Sequence, residues 1–413
     1  MPSAVPRVVA LVVALLAAGL LVPSAGAVSG ELRVLYVLAT WGPPTFTAAE
    51  VEVVAARTDE FLRASSSGRL SMPGSVAGPI RLPRIAFERC DATSLRNASP
   101  ASLVAGYSRV AFVTPVVPSC RFAGKAEPTE VLLNGQLTVP LAVHELAHTL
   151  GLGHAHSWHC IALGCTVDEY GNPFSVMGDG AGDFNAYEKA ALDWLTGIVR
   201  AGDESGTYEI GPIEGGTTLP QAFVVKTAAT EYWFESRGRS TPAFDGVLEQ
   251  PPGVPVMVGP SNGAEGERSP YPRGNILLLG PEGRARFAHT TGESFVQRGV
   301  FQVLVERHAP ESATLRFEWL DEAAPAPSRV RVRAIGGRRV EVSWNLARER
   351  GSGVETYSIV VDGRVVRAVA GDGLFVTPST VVRLARGVHR VGVFATDRAG
   401  NRGATTFVRV RVP

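Results

Sequence analysis

The chain has 413 residues, 45% hydrophobic and 19% charged, with a formal net charge of +1. That length accommodates two or three domains, and the composition excludes a wholly disordered chain. The near-neutral balance gives no global reason for nucleic-acid or membrane binding. In chain order, residues 1–27 read as a secretory leader: Arg7 is the only charge, Val8 to Val22 is an apolar run, and Ala25-Gly-Ala27 offers small cleavage residues. The run is about 15 residues, short of the roughly 20 needed to span a bilayer, so cleavage is expected rather than a transmembrane anchor. Glu31 to Thr40 is rich in β-branched and aromatic residues and predicts a strand. Thr47-Ala-Ala-Glu50 is a capping box, and Val51, Val54, Ala55, Phe61 and Leu62 form one apolar stripe, so a helix running to Arg63 is expected against a sheet. Residues 64–104 are rich in Ser, Gly and Pro and read as strands and loops. Ser108 to Val117 and Glu130 to Asn134 read as further strands.

Pro140 opens the next helix, where its missing N–H costs nothing. Val143, Leu146, Ala147 and Leu150 form its core face. The histidines face away from it, in the stretch His144-Glu145-Leu-Ala-His148-Thr-Leu-Gly151-Leu-Gly-His154. Residues four apart on a helix share a face, so His144 and His148 stand one turn apart. Gly151 stops the helix cheaply in a left-handed turn, and the reversal returns His154 as a third nitrogen. Three histidines leave a tetrahedral zinc one open position, which is a catalytic rather than a structural arrangement. Glu145 reaches the open side as general base. His156 and His159, a little further on, read as loop residues without metal.

Cys90, Cys120, Cys160 and Cys165 make an even count, which suggests two disulfides in an exported chain. Three pairings are open, and Cys90–Cys120 with Cys160–Cys165 is the expected one. Met177 follows His144 by 33 residues, within Asp168-Glu-Tyr170-Gly-Asn-Pro-Phe-Ser175-Val-Met177-Gly178. A short helix is expected between Phe184 and Trp194.

The histidine pattern and this methionine segment resemble the metzincin zinc peptidases, and the wording around Gly151-Leu-Gly-His154-Ala155 is similar to their gametolysin-like branch. The resemblance covers about 31–198. It implies that His144, His148 and His154 bind zinc, that Glu145 is the base and that Met177 floors the site. It also implies a tyrosine oxyanion helper, for which Tyr170 and Tyr187 are the candidates. Finally it implies that Glu130 to Asn134 is the edge strand, on which a peptide adds in extended form.

Residues 200–322 read as an all-β accessory domain, with strands near Thr207, Ala222, Tyr232, Gly274 and Ala313 and a Pro/Gly-rich section at 250–273. Glu231 to Arg237 followed by Phe244-Asp-Gly resembles the β domain trailing some secreted bacterial metallopeptidases. Ala323-Ala-Pro-Ala-Pro-Ser328 is a linker. Residues 329–413 read as a β-sandwich, in which Trp344, Tyr357 and the Asp397-Arg-Ala-Gly-Asn401 turn resemble fibronectin type III modules. Residues 328–413 hold 16 Arg against 6 Asp plus Glu, a balance of +10. Arg329, Arg331 and Arg333 alternate along one strand face. They serve either as a solvated edge or in adhesion to an anionic cell-surface polymer.

The expected architecture is therefore α+β: a metzincin-type zinc peptidase domain at 28–199 with a mixed sheet and an active-site helix, then the all-β region and the sandwich. The expected activity is that of a secreted zinc endopeptidase acting on protein or peptide. A non-catalytic adhesin that kept a protease-like domain, or a zinc amidase acting on wall peptides, are the alternatives.

Overall fold

In the computed structural model the described residues are 27–161, 164–180, 182–238, 252–261, 274–278, 288–326, 328–372, 374 and 377–413. The expected leader, apart from Ala27, lies outside them, as do Phe244-Asp-Gly and most of 250–273. No described helix is long and apolar enough to cross a membrane. The architecture is α+β with a mixed sheet, followed by all-β sheets.

Strand β1 (Val34–Thr40) is buried at all seven positions. A parallel strand covered on both faces reads as a continuous apolar run rather than as an alternation. Val34, Tyr36 and Leu38 face one core cluster, and Leu35, Val37 and Ala39 face another. Helix α1 (Ala48–Ser65) covers the first face. Thr47 and Glu50 close its capping box, and Val51, Ala55, Phe61 and Leu62 are its buried stripe, with Thr58 filling the gap. Strand β2 (Gly74–Arg81) pairs parallel with β1.

The second face is covered by three short helices, Arg84–Glu88, Ala92–Ala98 and Ala101–Val104, which bring in Phe87 and Leu95. This corrects the strand-and-loop reading of 64–104 over 84–104, whereas Leu70–Ser71 and Gly74–Arg81 are strands as expected. None of the three is long enough to show an amphipathic period, and two start at Pro83 and Pro100.

Strands β3 (Arg109–Thr114), β4 (Gly124–Ala126) and β5 (Glu130–Asn134) complete the first sheet in the order β2-β1-β3-β5-β4. β5 is parallel to β3 and fully buried, while β4 runs antiparallel on its outer side. The edge strand is therefore β4, not Glu130–Asn134 as expected. Gly-Lys-Ala has no strand propensity, and the turn Glu127 N to Glu130 O at 2.8 Å is what folds it back. Helix α2 (Val139–His148) packs Val143, Leu146 and Ala147 into the α1 side of the core.

After α2 the chain enters a second sheet through the hairpin β6 (Ala155–Ile161) and β7 (Gly164–Asp168). Strand Gly274–Leu278 pairs parallel with β6, and beyond it come Val254–Ser261, Glu231–Phe234, Ala222–Lys226 and Ile198–Arg200. Residues on both sides of 199/200 thus share one sheet. A buried ionic cluster ties the same units. Helix α3 (Ala186–Ala191) places Lys189 against Asp183 and within 2.8 Å of the Ile213 carbonyl. Arg237 is fully buried and donates to Glu235 at 2.6 Å and to the carbonyls of Asp183 and Phe184. Ser175 donates to Glu188 at 2.6 Å and accepts from Met177 N, which joins α3 to the methionine turn.

The C-terminal strands form two sheets. One comprises Val330–Gly336, Arg339–Trp344 and Ser379–Arg383, and the other Arg364–Ala370, Val354–Val361, Gly387–Asp397 and Thr406–Val412. Trp344, Tyr357, Val391 and Val393 lie in the shared core. Contacts beyond the expected linker hold this unit to the rest. Lys226 and Arg398 both reach Asp372, at 2.8 and 2.5 Å, and Asp321 accepts from Ser352 N at 2.7 Å.

Removing Arg237 leaves Glu235 buried without its charge partner, which costs about 3–5 kcal/mol. Arg237→Ala should lower urea-unfolding stability by that amount. Lys226→Ala breaks an exposed pair and should cost about 1 kcal/mol or less. Equal effects would show that the buried cluster does not hold the units together.

Candidate metal centre

Thr138 caps α2, its hydroxyl accepting from Leu141 N at 3.3 Å, with Pro140 in the first turn. The helix ends at His148, and Gly151 takes φ +93°, the left-handed turn that reverses the chain. The reversal brings the Leu152 carbonyl within 2.8 Å of His148 Nδ1. His144 Nδ1 lies 2.7 Å from the Val176 carbonyl, one residue before Met177. A carbonyl can only accept, so both rings carry their proton on Nδ1 and present a bare Nε2.

Those two Nε2 atoms face each other at 3.1 Å. Two lone pairs at that distance repel unless a cation sits between them. His154 joins the pair, its ring centroid 5.3 Å from that of His144 and 4.8 Å from that of His148. One ligand nitrogen from each of the three lies within 4.8 Å of the others. His154 Nδ1 is 2.8 Å from Glu169 Oε1, so the third imidazole has its own orienting carboxylate. Burial lowers the pKa of all three, and for His148 and His154, where the neighbouring imidazoles add to it, to about 3. They are neutral at pH 7, the form that ligates metal. The donor set, its oriented Nδ1 atoms and the facing lone pairs fit a three-nitrogen zinc site of metzincin-like pattern.

Glu145 follows the first histidine and is buried. Loss of hydration raises its pKa to about 8, and a cation alongside would draw it down again. It borders an open cavity of about 650 Å³ with Arg121, Phe122, Gly124, Pro140, Leu141, Tyr170 and Val176.

Tyr170 stands over the site, its ring 4.4 Å from His154 and 6.0 Å from His144. Tyr187 is elsewhere, packed edge-on against Trp233 at 5.6 Å and beside Gly259. Met177 is fully buried beneath the helix, its carbonyl accepting from Ala155 N. His156 sits on β6 with its ring 6.3 Å from His154, outside the three-ligand group, and the side chain of His159 lies outside the described residues. Cys90 and Cys120 are disulfide-bonded. Cys160 is opposite Cys165 in the β6–β7 register, with both side chains outside the described residues. Sequence reasoning missed Glu169 and the Leu152 and Val176 carbonyls. Only the chain reversal and the methionine turn bring them to the rings.

No family model and no curated protein matches the chain. Among solved structures it is similar to archaemetzincin from Methanopyrus kandleri, at 18% identity over 40% of this chain and 94% of that one, with a TM-score of 0.26. Wild-type OgpA from Akkermansia muciniphila gives 10% identity over 93% of both chains at 0.22. The Clostridium perfringens spore cortex lytic enzyme SleM gives 16% over 25% of this chain at 0.20, and the match spans only 34% of SleM. Scores this low carry no argument about fold or activity.

Purified protein should hold one zinc per chain. His148→Ala should lose it, and Glu169→Ala should weaken zinc binding about 10–100-fold by freeing the His154 ring. Metal analysis and chelator competition measure both, and full zinc occupancy in His148→Ala would refute the ligand set.

Proposed function

We propose that the chain is a secreted zinc-dependent endopeptidase of the metzincin class, in its gametolysin-like branch. The observation that carries the reading is the pair of facing Nε2 atoms, each ring fixed by a carbonyl, with a buried carboxyl beside them on an open cavity. His144, His148 and His154 hold the metal. When bound, the zinc supplies a Lewis acid that polarises a carbonyl and acidifies water. Glu145 accepts a proton from the attacking water and delivers it to the departing amine. Tyr170 donates to the developing oxyanion from the rim. The outer edge of β4 pairs with the substrate in extended form, so backbone hydrogen bonds supply affinity while the cavity beside α2 selects a side chain. The Cys90–Cys120 disulfide and the expected leader support export.

The C-terminal unit, read as a fibronectin type III-like module, supplies attachment to an anionic polysaccharide. Arg390 and Arg409 are directly opposite on the outer face of one sheet, and Arg411, opposite Val388, is two residues further along. Like charges so placed cost stability, which an anionic partner would relieve. Arg390 stacks 3.8 Å over Phe407 and Arg402 3.8 Å over Phe394, so these rings offer no platform for nucleic-acid bases. Arg409→Gln with Arg411→Gln should lose most retardation in a polygalacturonate gel at low salt and keep peptide cleavage. Unchanged retardation would contradict the attachment.

Glu145→Gln keeps the volume of the side chain and removes the base. It should cut kcat/KM at least about 100-fold, within the usual range for general-base assistance, with zinc content unchanged. A rate near wild type would favour a different active centre. A wild-type protein that binds zinc but cleaves no peptide would favour the non-catalytic alternative.

A further inference from the structure

The edge strand carries a glycine, Gly124, against the side chain of Glu145. A Cβ built on Gly124 would lie 2.4 Å from Glu145 Oε1 and 2.7 Å from both Cδ and Cγ. Gly124 has no left-handed φ, so the backbone does not require glycine there. What requires it is the space filled by the glutamate side chain. We propose that Gly124 is a positioning residue for Glu145, and that the edge strand is held rigid so that this contact sets where the carboxyl stands. The inference rests on the reading of Glu145 as the base.

The rigidity has identifiable sources. The loop leading into β4 is clamped by Asn134, a buried side chain at the end of β5. Its Oδ1 accepts from Val117 N at 2.7 Å, and its Nδ2 donates to the carbonyls of Cys120 at 3.1 Å and Phe122 at 2.9 Å. Its backbone N–H reaches the Ala123 carbonyl at 2.7 Å, immediately before Gly124. The Cys90–Cys120 disulfide ties the middle of the same loop to the short helices. Gly124 pairs with Leu133 on the buried strand β5. On the other side, α2 is packed into the core and cannot retreat.

A methyl group at Gly124 therefore cannot be absorbed by either backbone. It is absorbed by the flexible side chain of Glu145, which swings away. The fold is kept, because what moves is a side chain that borders the open cavity. The cost falls on catalysis, where a misplacement of about 1 Å is worth up to about 100-fold in rate.

The test is Gly124→Ala in the full, zinc-loaded chain, alone and combined with Glu145→Gln. Alone it should lower kcat about 10–100-fold, with zinc content unchanged and KM moved less than roughly threefold. In the Glu145→Gln background, where no base is left to misplace, it should change the residual rate less than about twofold. Equal losses in both backgrounds would overturn the proposal, since the methyl would then act on the substrate. Crystal structures of wild type and Gly124→Ala give a readout independent of activity. The Glu145 carboxyl should move away from β4, and an unmoved carboxyl would overturn the proposal. If the wild type cleaves no peptide at all, the peptidase reading fails, while the crystallographic comparison still decides the role of Gly124.

Discussion

The site depends on two hydrogen bonds that are invisible in the motif. Leu152 and Val176 carbonyls hold the Nδ1 atoms of His148 and His144 at 2.8 and 2.7 Å. Each bond fixes a tautomer and a ring orientation together. Without them the rings could rotate or present a proton where a lone pair is needed. With them, two bare nitrogens face each other across 3.1 Å of buried space. That arrangement is unfavourable alone and favourable around a cation, so the fold itself selects for a bound metal.

The carbonyls are in turn held by features remote from the helix. Val176 precedes Met177, whose N–H is held by Ser175, itself bonded to Glu188 on α3. Lys189 on that helix and Asp183, Glu235 and Arg237 beside it are all buried. The strand that follows His154 hydrogen-bonds to Gly274–Leu278. The β-rich region after residue 200 is thus structurally continuous with the metal site. The C-terminal sandwich is tied less strongly, through partly exposed pairs such as Lys226–Asp372.

Much of this was legible because it is local. The capping box at Thr47, the stripe of α1, Pro140, Gly151 and the three histidines each follow from residue type and spacing within one helix or turn. What was not legible is non-local. β4 is three residues without strand propensity, recognisable only once β5 is in place beside it. The short helices over 84–104 lack a full period, and their role as the second cover of the sheet appears only from the alternation of β1 between two clusters. Tyr170 lies seven residues before Met177 and Tyr187 ten after it, and neither spacing chooses between them. Only the course of the chain places one at His154 and the other at Trp233.

The most direct test of the central claim is X-ray absorption spectroscopy at the zinc edge on the purified, zinc-loaded chain. Three imidazole nitrogens at about 2.0–2.1 Å and no sulfur are expected. A first shell containing sulfur, or only one or two imidazoles, would contradict the site built from His144, His148 and His154.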